Sequence, residues 1–519
     1  MKRLKITGKI LARNTILNFI GRSLPLFVGV ITIPFIVRGL GEERFGLLSL
    51  IWIVLGYFSI FDLGLGRATT KYVAEALGKG KTKQIAEITW TAITVQALFG
   101  VIGTVIILIG SPLLTERILK ISPLLTEEAI SSFRVLAFSV PIVLIASSFS
   151  AVLEATQRFD LINAVKIPAS IMTFIIPLIG VQLHLTLPSI IMLILFTRFG
   201  TLIAFAFLVF YITPQMKKYI CSIALFPRLL SFGGWVAISN IIGPVLQYLD
   251  RFLIGAVLTV SVVAFYTAPF DAISRLWIIP GSMVMTIFPA FSSIGTAYSE
   301  DLKYFFLRAS KYIFFILTLI VLPLIIFAHD ILKIWLGNSF AENSTTVLQV
   351  LSLGILVSSL THITLALFQG IGRPDVTVKI QTALLPVSLI LTYILIKHIG
   401  IIGAAISWTF CRIAGMLLSW RVAWRLVRLE YKHIVKNKLN IEFAWFLLFT
   451  ISLTPVFFIN DLLFKFLGAV TVYIIFIYFG WQRVFDIQDR SMMVMFFKKL
   501  IRYKQLNQRF NNIKVLKKR

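Results

Sequence analysis

Five arginines occupy positions where arginine is unfavourable. Arg22, Arg198, Arg251, Arg275 and Arg412 all lie inside long apolar runs of this 519-residue chain. A charged side chain at the centre of a bilayer costs about 2.5–3.5 kcal/mol on insertion scales, so each needs water, a counter-ion or a pairing partner. Guanidinium donates through a planar fork that matches phosphate and carboxylate oxygens. The chemistry this set points to is anion binding in a wet cavity; pairing with helix-end carbonyls is the alternative. Arg134, near the end of its run, reaches the interface by snorkelling. Acids at depth are fewer. Asp271 stands one turn before Arg275, a spacing that predicts mutual neutralisation on one helix face. Asp250 adjoins Arg251, but helix neighbours point in different directions. Asp62 and Asp271 are the candidates for ion coupling or gating, with capping of a glycine-rich helix end as the other reading of Asp62.

No catalytic or metal constellation is present. His184, His329, His362, His398 and His433 are scattered, and Cys221 and Cys411 offer neither a disulfide framework nor zinc spacing. No glycine-rich phosphate loop follows a strand, so no nucleotide or other cofactor is expected, and no enzyme activity. The net charge of +28 does not mark a nucleic-acid binder. Its basic residues cluster before Asn14, between Arg421 and Lys438, and after Trp481, each group beside an apolar run, where anionic membrane lipids attract them.

The elements that position the arginines are helices. About 20 apolar residues cross the roughly 30 Å hydrocarbon layer, and 58% of the chain is hydrophobic. Fourteen runs are long enough: 14–37, 46–66, 86–110, 133–156, 163–183, 187–212, 231–257, 261–289, 305–328, 344–369, 376–397, 400–424, 441–460 and 462–481. Backbone groups in lipid must pair internally, which selects α-helix for runs this long. With the first end in the cytoplasm, 37 of the 50 basic residues fall on the cytoplasmic side and 7 on the outer side, so both termini are predicted to be cytoplasmic. The longest external connection is 111–132. Residues after Phe485 read as a basic amphipathic helix on the inner leaflet.

The chain also repeats. Gln157-Arg158-Phe159-Asp160-Leu161 is echoed by Gly372-Arg373-Pro374-Asp375-Val376, with Lys166-Ile167 and Lys379-Ile380 following. Asn18-Phe19-Ile20-Gly21 likewise resembles Asn240-Ile241-Ile242-Gly243. An offset of six spans gives halves of equal orientation, related by a pseudo-two-fold along the membrane normal. The expected architecture is an all-α polytopic membrane protein with two six-helix lobes, 1–212 and 213–424. Two further helices follow (425–481), then the basic tail (482–519). Parallel repeats of this kind suit a transporter whose bundles rock about a central site.

The opening residues resemble a known family. Arg38-Gly39-Leu40-Gly41-Glu42-Glu43-Arg44-Phe45-Gly46-Leu47, then Phe61-Asp62-Leu63-Gly64-Leu65-Gly66-Arg67-Ala68, together with the Gln157-Arg158-Phe159-Asp160 loop, resemble the O-antigen, capsule and exopolysaccharide flippases. These belong to the multidrug/oligosaccharidyl-lipid/polysaccharide exporter superfamily. The resemblance implies a V-shaped pair of lobes and a polyprenyl-pyrophosphate-linked oligosaccharide as substrate. It also implies a prokaryotic cytoplasmic membrane, alternating access, and polysaccharide polymerase and glycosyltransferases as partners. Two other functions are kept as alternatives: a cation-coupled multidrug exporter of the same architecture, and a membrane glycan polymerase or transferase. The positive bias at depth disfavours the first, and the small external loops disfavour the second.

Overall fold

A computed structural model describes residues 8–57, 64–284, 300–371, 373, 375–430 and 461–483, with scattered positions between 433 and 459. The described residues are helical, without a strand. The helices are α1 (Gly8–Tyr57), α2 (Leu65–Gly78), α3 (Thr82–Pro112), α4 (Pro123–Ala137), α5 (Ser139–Ala155), α6 (Phe159–Gln182) and α7 (Leu187–Ile212). There follow α8 (Phe226–Val257), α9 (Val260–Ser274), α10 (Glu300–Ile326), α11 (Ala328–Leu336), α12 (Asn338–Gly370), α13 (Asp375–Val427) and α14 (Leu462–Arg483). Among the described residues, nine helical segments are long and apolar enough to cross a membrane. Span 441–460 and the basic tail fall largely or wholly outside the described residues, so the count of fourteen remains a sequence-based expectation.

Two of the helices are hairpins. α1 is interrupted at Gly41 (φ 77°, ψ 168°), a conformation nearly confined to glycine. A Cβ placed on Gly29 would lie 3.0 Å from Phe174, and Trp52 packs edge-on against the same ring at 5.4 Å. A straight helix would separate residues 29 and 52 by about 35 Å, so the chain reverses at Gly41. α13 is interrupted at Ile399 and Gly400. There Thr392 and Ser407 hydroxyls meet at 2.7 Å, across a stretch that would measure about 22 Å if straight. Both turns fall between the runs predicted from hydropathy.

The repeated Arg-x-Asp sequences adopt the same geometry. Arg158 donates from Nε and Nη2 to the two Asp160 oxygens at 3.0 and 3.1 Å. Arg373 grips Asp375 with the same atoms at 3.0 and 3.3 Å. In each case the carboxylate's hydrogen bond raises the guanidinium pKa above its ordinary value. Behind each pair, the arginine N–H caps the preceding helix, on Leu153 O at 2.9 Å and on Phe368 O at 2.7 Å.

Packing differs between the two ends of the bundle. At the end carrying residues 111–132, one continuous core joins both halves of the chain, from Ile33–Leu55 through Leu187–Ile194 and Ile254–Ile273 to Phe340–Ile355. At the other end the two halves have separate cores among the described residues, besides a small cluster where α14 packs on α10 around Phe315 and Phe476. One is built from α2, α3, α5, α6 and α7 around Val73, Ile85, Val152 and Phe205. The second is built from α10, α12 and α13 around Phe306, Leu317, Leu360 and Ala423. Small residues permit the tight contacts, as lipid-embedded packing favours. A Cβ on Gly100 would sit 2.6 Å from Pro141 Cα, and one on Gly46 would collide with the Val260 carbonyl.

The closed end is also tied by polar contacts between halves. The Lys120 N–H donates to Gly255 O at 2.9 Å, and the Val260 N–H to Lys120 O at 3.2 Å. The Lys120 ammonium caps Val257 O. Trp335 Nε1 donates to Val30 O at 2.8 Å, and Ser339 donates to Glu42.

Candidate functional site

Between the joined core and the two separate ones lies a cavity of about 810 Å³. α1 supplies Leu26, Ser49 and Trp52, α6 supplies Thr173 and Phe174, and α7 supplies Arg198. From the second half come Gln247 and Tyr248 of α8, Asp271 of α9, and Arg275 and Trp277 just beyond it. The wall therefore carries two guanidiniums, one from each half, against a single carboxylate among the described lining residues.

That carboxylate is already engaged. Asp271 Oδ1 lies 3.5 Å from Nη2 of Arg251, which is completely buried behind the wall. The Arg251 guanidinium is enclosed by aromatic faces, 4.3 Å from the Phe270 ring centroid and 4.9 Å from that of Tyr248. It also donates to Gln247 O at 3.4 Å. Asp250, buried beside it, accepts the Arg251 backbone N–H at 2.9 Å and the Tyr266 hydroxyl.

The expected Asp271–Arg275 pair does not form. Arg275 opens a short 3-10 turn, Arg275–Trp277. Asp271 pairs with α8 instead, leaving Arg275 and Arg198 without a carboxylate among the described residues. Arg275 Nε is buried with no hydrogen-bond partner among them. The wall and the buried layer behind it thus hold Arg198, Arg251 and Arg275 against Asp250 and Asp271, three cations to two anions among the described residues.

The remaining candidates are dispersed. Arg412 lies in a smaller neighbouring chamber, stacked 5.0 Å from the Trp408 centroid and donating to Leu246 O at 3.3 Å. Arg22 belongs to α1, with its side chain outside the described residues, and Asp62 lies outside them altogether. Sequence reasoning missed Tyr248 and Trp277. Tyr248 was findable, because it precedes Arg251 by three residues and so shares its helix face. Trp277 was not, since the 3-10 turn that aims it has no local marker.

Comparison with known proteins bears on this arrangement. The pattern that defines the family described as "Polysaccharide biosynthesis protein" matches residues 11–295, more than half the chain. The chain belongs to that family. This polysaccharide biosynthesis family member is 32% identical over 416 residues to a candidate O-antigen transporter of Shigella flexneri, covering 79% of this chain and 96% of the relative. Solved structures share its fold, two of them as follows. One is an inward-facing multidrug resistance MATE family transporter of the MOP superfamily, with TM-score 0.69 and 17% identity over 80% of this chain and 98% of that one. The other is the lipid II flippase MurJ in an inward closed conformation, with TM-score 0.68 and 16% identity over 91% and 99%. The polysaccharide biosynthesis family member is accordingly a multi-pass membrane protein of MATE- and MurJ-like fold.

Proposed function

We propose that this protein is a flippase for polyprenyl-pyrophosphate-linked oligosaccharide, working in O-antigen, capsule or exopolysaccharide assembly. The observation that carries the reading is the pair of arginines, Arg198 and Arg275, on the cavity wall without carboxylate partners among the described residues. A diphosphate is the part of such a lipid least able to enter hydrocarbon, and two guanidinium forks replace its hydration. The sugar and diphosphate would occupy the cavity while the polyprenyl chain stays in the bilayer.

The mechanism is alternating access between lobes 1–212 and 213–424, with residues 425–481 as accessory helices. In the state described, the halves share one apolar core at the 111–132 end and have separate apolar cores at the other, where α2 of the first half meets α8 of the second. With both termini in the cytoplasm of a prokaryotic cell, the cavity would load through that second end from the inner leaflet. Rocking would break the Lys120 contacts and deliver the head group outward. A multidrug exporter for cations fits less well, because a cavity with surplus positive charge repels its cargo. Polymerases and glycosyltransferases of the same assembly line are proposed partners through the shared lipid.

Deleting the gene in its host tests the reading. The expected result is lipid-linked glycan accumulating on the inner leaflet, protected from probes added outside, with release restored by the wild-type gene. Normal appearance of glycan lipid outside the deletion strain would overturn it.

A further inference from the structure

Next to the main cavity lies a second chamber of about 270 Å³, enclosed by α8, α12, α13 and the Trp277 region. It shares Gln247 and Trp277 with the main cavity, so those two side chains form the partition between them. Its chemistry is different. Trp277 and Trp408 stand 6.2 Å apart with their planes inclined by 36°, and the Trp277 indole is fixed by donation to Ser358 Oγ at 3.1 Å. Hydroxyl and amide side chains, among them Thr377, Gln381 and Ser388, line the remainder. Two polar groups on this wall, Thr377 Oγ1 and Trp408 Nε1, are buried with no partner among the described residues. Arg412 is the sole charged side chain among the described lining residues other than His362.

The flat Trp277 face beside unsatisfied donors and acceptors suits a pyranose ring, which offers apolar C–H faces and a rim of hydroxyls. The chamber has a third of the main cavity's volume, about 270 against 810 Å³, room for one sugar ring. Arg412 adds a requirement of its own. One of its N–H groups goes to Leu246 O, its plane rests on Trp408, and no carboxylate pairs with it among the described residues. A guanidinium held this way is complementary to a carboxylate in the same plane as a sugar ring.

Resting on the flippase reading above, we infer that this second chamber is a monosaccharide subsite selecting an acidic sugar, with Arg412, backed by Trp408, taking the sugar carboxylate and Trp277 the ring. The diphosphate stays with Arg198 and Arg275, and the partition residues Gln247 and Trp277 mark the path of the glycan from one space to the other. The subsite sets which glycan is carried; the main cavity sets that a diphosphate lipid is carried at all.

The experiment uses the full-length protein in proteoliposomes and two synthetic polyprenyl-diphosphate disaccharides that differ in the terminal sugar, glucuronate or glucose. Appearance of each on the opposite leaflet is followed by its accessibility to an added glycosidase. Wild-type protein is expected to move the glucuronate lipid about tenfold faster, the effect of one charge-assisted hydrogen bond. Arg412→Gln should bring the ratio of the two rates close to one, and Arg412→Lys should recover part of it. Arg275→Gln should slow both lipids alike. Because the readout is a ratio within one preparation, loss of folded protein does not mimic the effect. A wild-type ratio near one, or a ratio untouched by Arg412→Gln, overturns the inference and leaves the flippase reading standing. If Arg412→Gln slows both lipids equally, Arg412 is a diphosphate ligand and the inference is again overturned. Wild-type protein that moves neither lipid overturns the flippase reading and this inference together.

Discussion

Arg251 and Asp271 form the pair on which the site's charge balance turns. Asp250 stays beside Arg251 when Asp271 is removed, and Asp271 itself lies on the cavity wall, so the loss stays below the about 3–5 kcal/mol of a fully buried pair. Asp271→Asn is therefore expected to lower the thermal midpoint in detergent modestly, and Arg251→Met, which takes the cation from Asp250 and Asp271 together, to lower it more. Arg198→Gln and Arg275→Gln should behave differently. Each removes an unpaired charge from a wet wall, so folding should survive while transport falls about tenfold per arginine, read in the proteoliposome assay. The arginines themselves were visible in the sequence because ionised groups stand out within apolar runs. Their partners were not. Which carboxylate meets which guanidinium depends on how α8 lies against α9, which is not encoded locally.

Helix ends were more legible than helix contacts. Hydropathy placed breaks between 37 and 46 and between 397 and 400, and the backbone turns at Gly41 and at Ile399–Gly400. Glycine at 41 is required by conformation: Gly41→Val should cost about 1–3 kcal/mol, measured as a lowered unfolding midpoint. Gly46 belongs to the same motif, but its role is packing, since it gives the Val260 carbonyl room. No reading of the turn alone distinguishes the two. The repeated Arg-x-Asp sequences at 158–160 and 373–375 were found from their offset, whereas their bidentate pairing, alike atom for atom, was not read there. Being solvent-exposed, the pairs contribute little: Asp160→Ala and Asp375→Ala are each expected to leave the unfolding midpoint nearly unchanged.

At the scale of the molecule, charge distribution predicted an even number of crossings and hydropathy predicted their places. The asymmetry between one shared core and two separate ones could not be read from either, because it reflects which conformational state the chain occupies. Topology is open to direct measurement. In a variant lacking Cys221 and Cys411, a cysteine at Glu127 should react with an impermeant maleimide added outside cells. One at Lys81 should react only after the membrane is opened. The reverse pattern would invert the orientation and with it the loading side of the cavity.

The Lys120 junction carries a consequence for genetics. Two of its ties run between peptide groups, from Lys120 N–H to Gly255 O and from Val260 N–H to Lys120 O. Truncating side chains one by one leaves such a latch untouched, so an alanine scan would pass over it. Proline at position 120 deletes the amide donor itself, and a strain carrying that change should leak the closed end open.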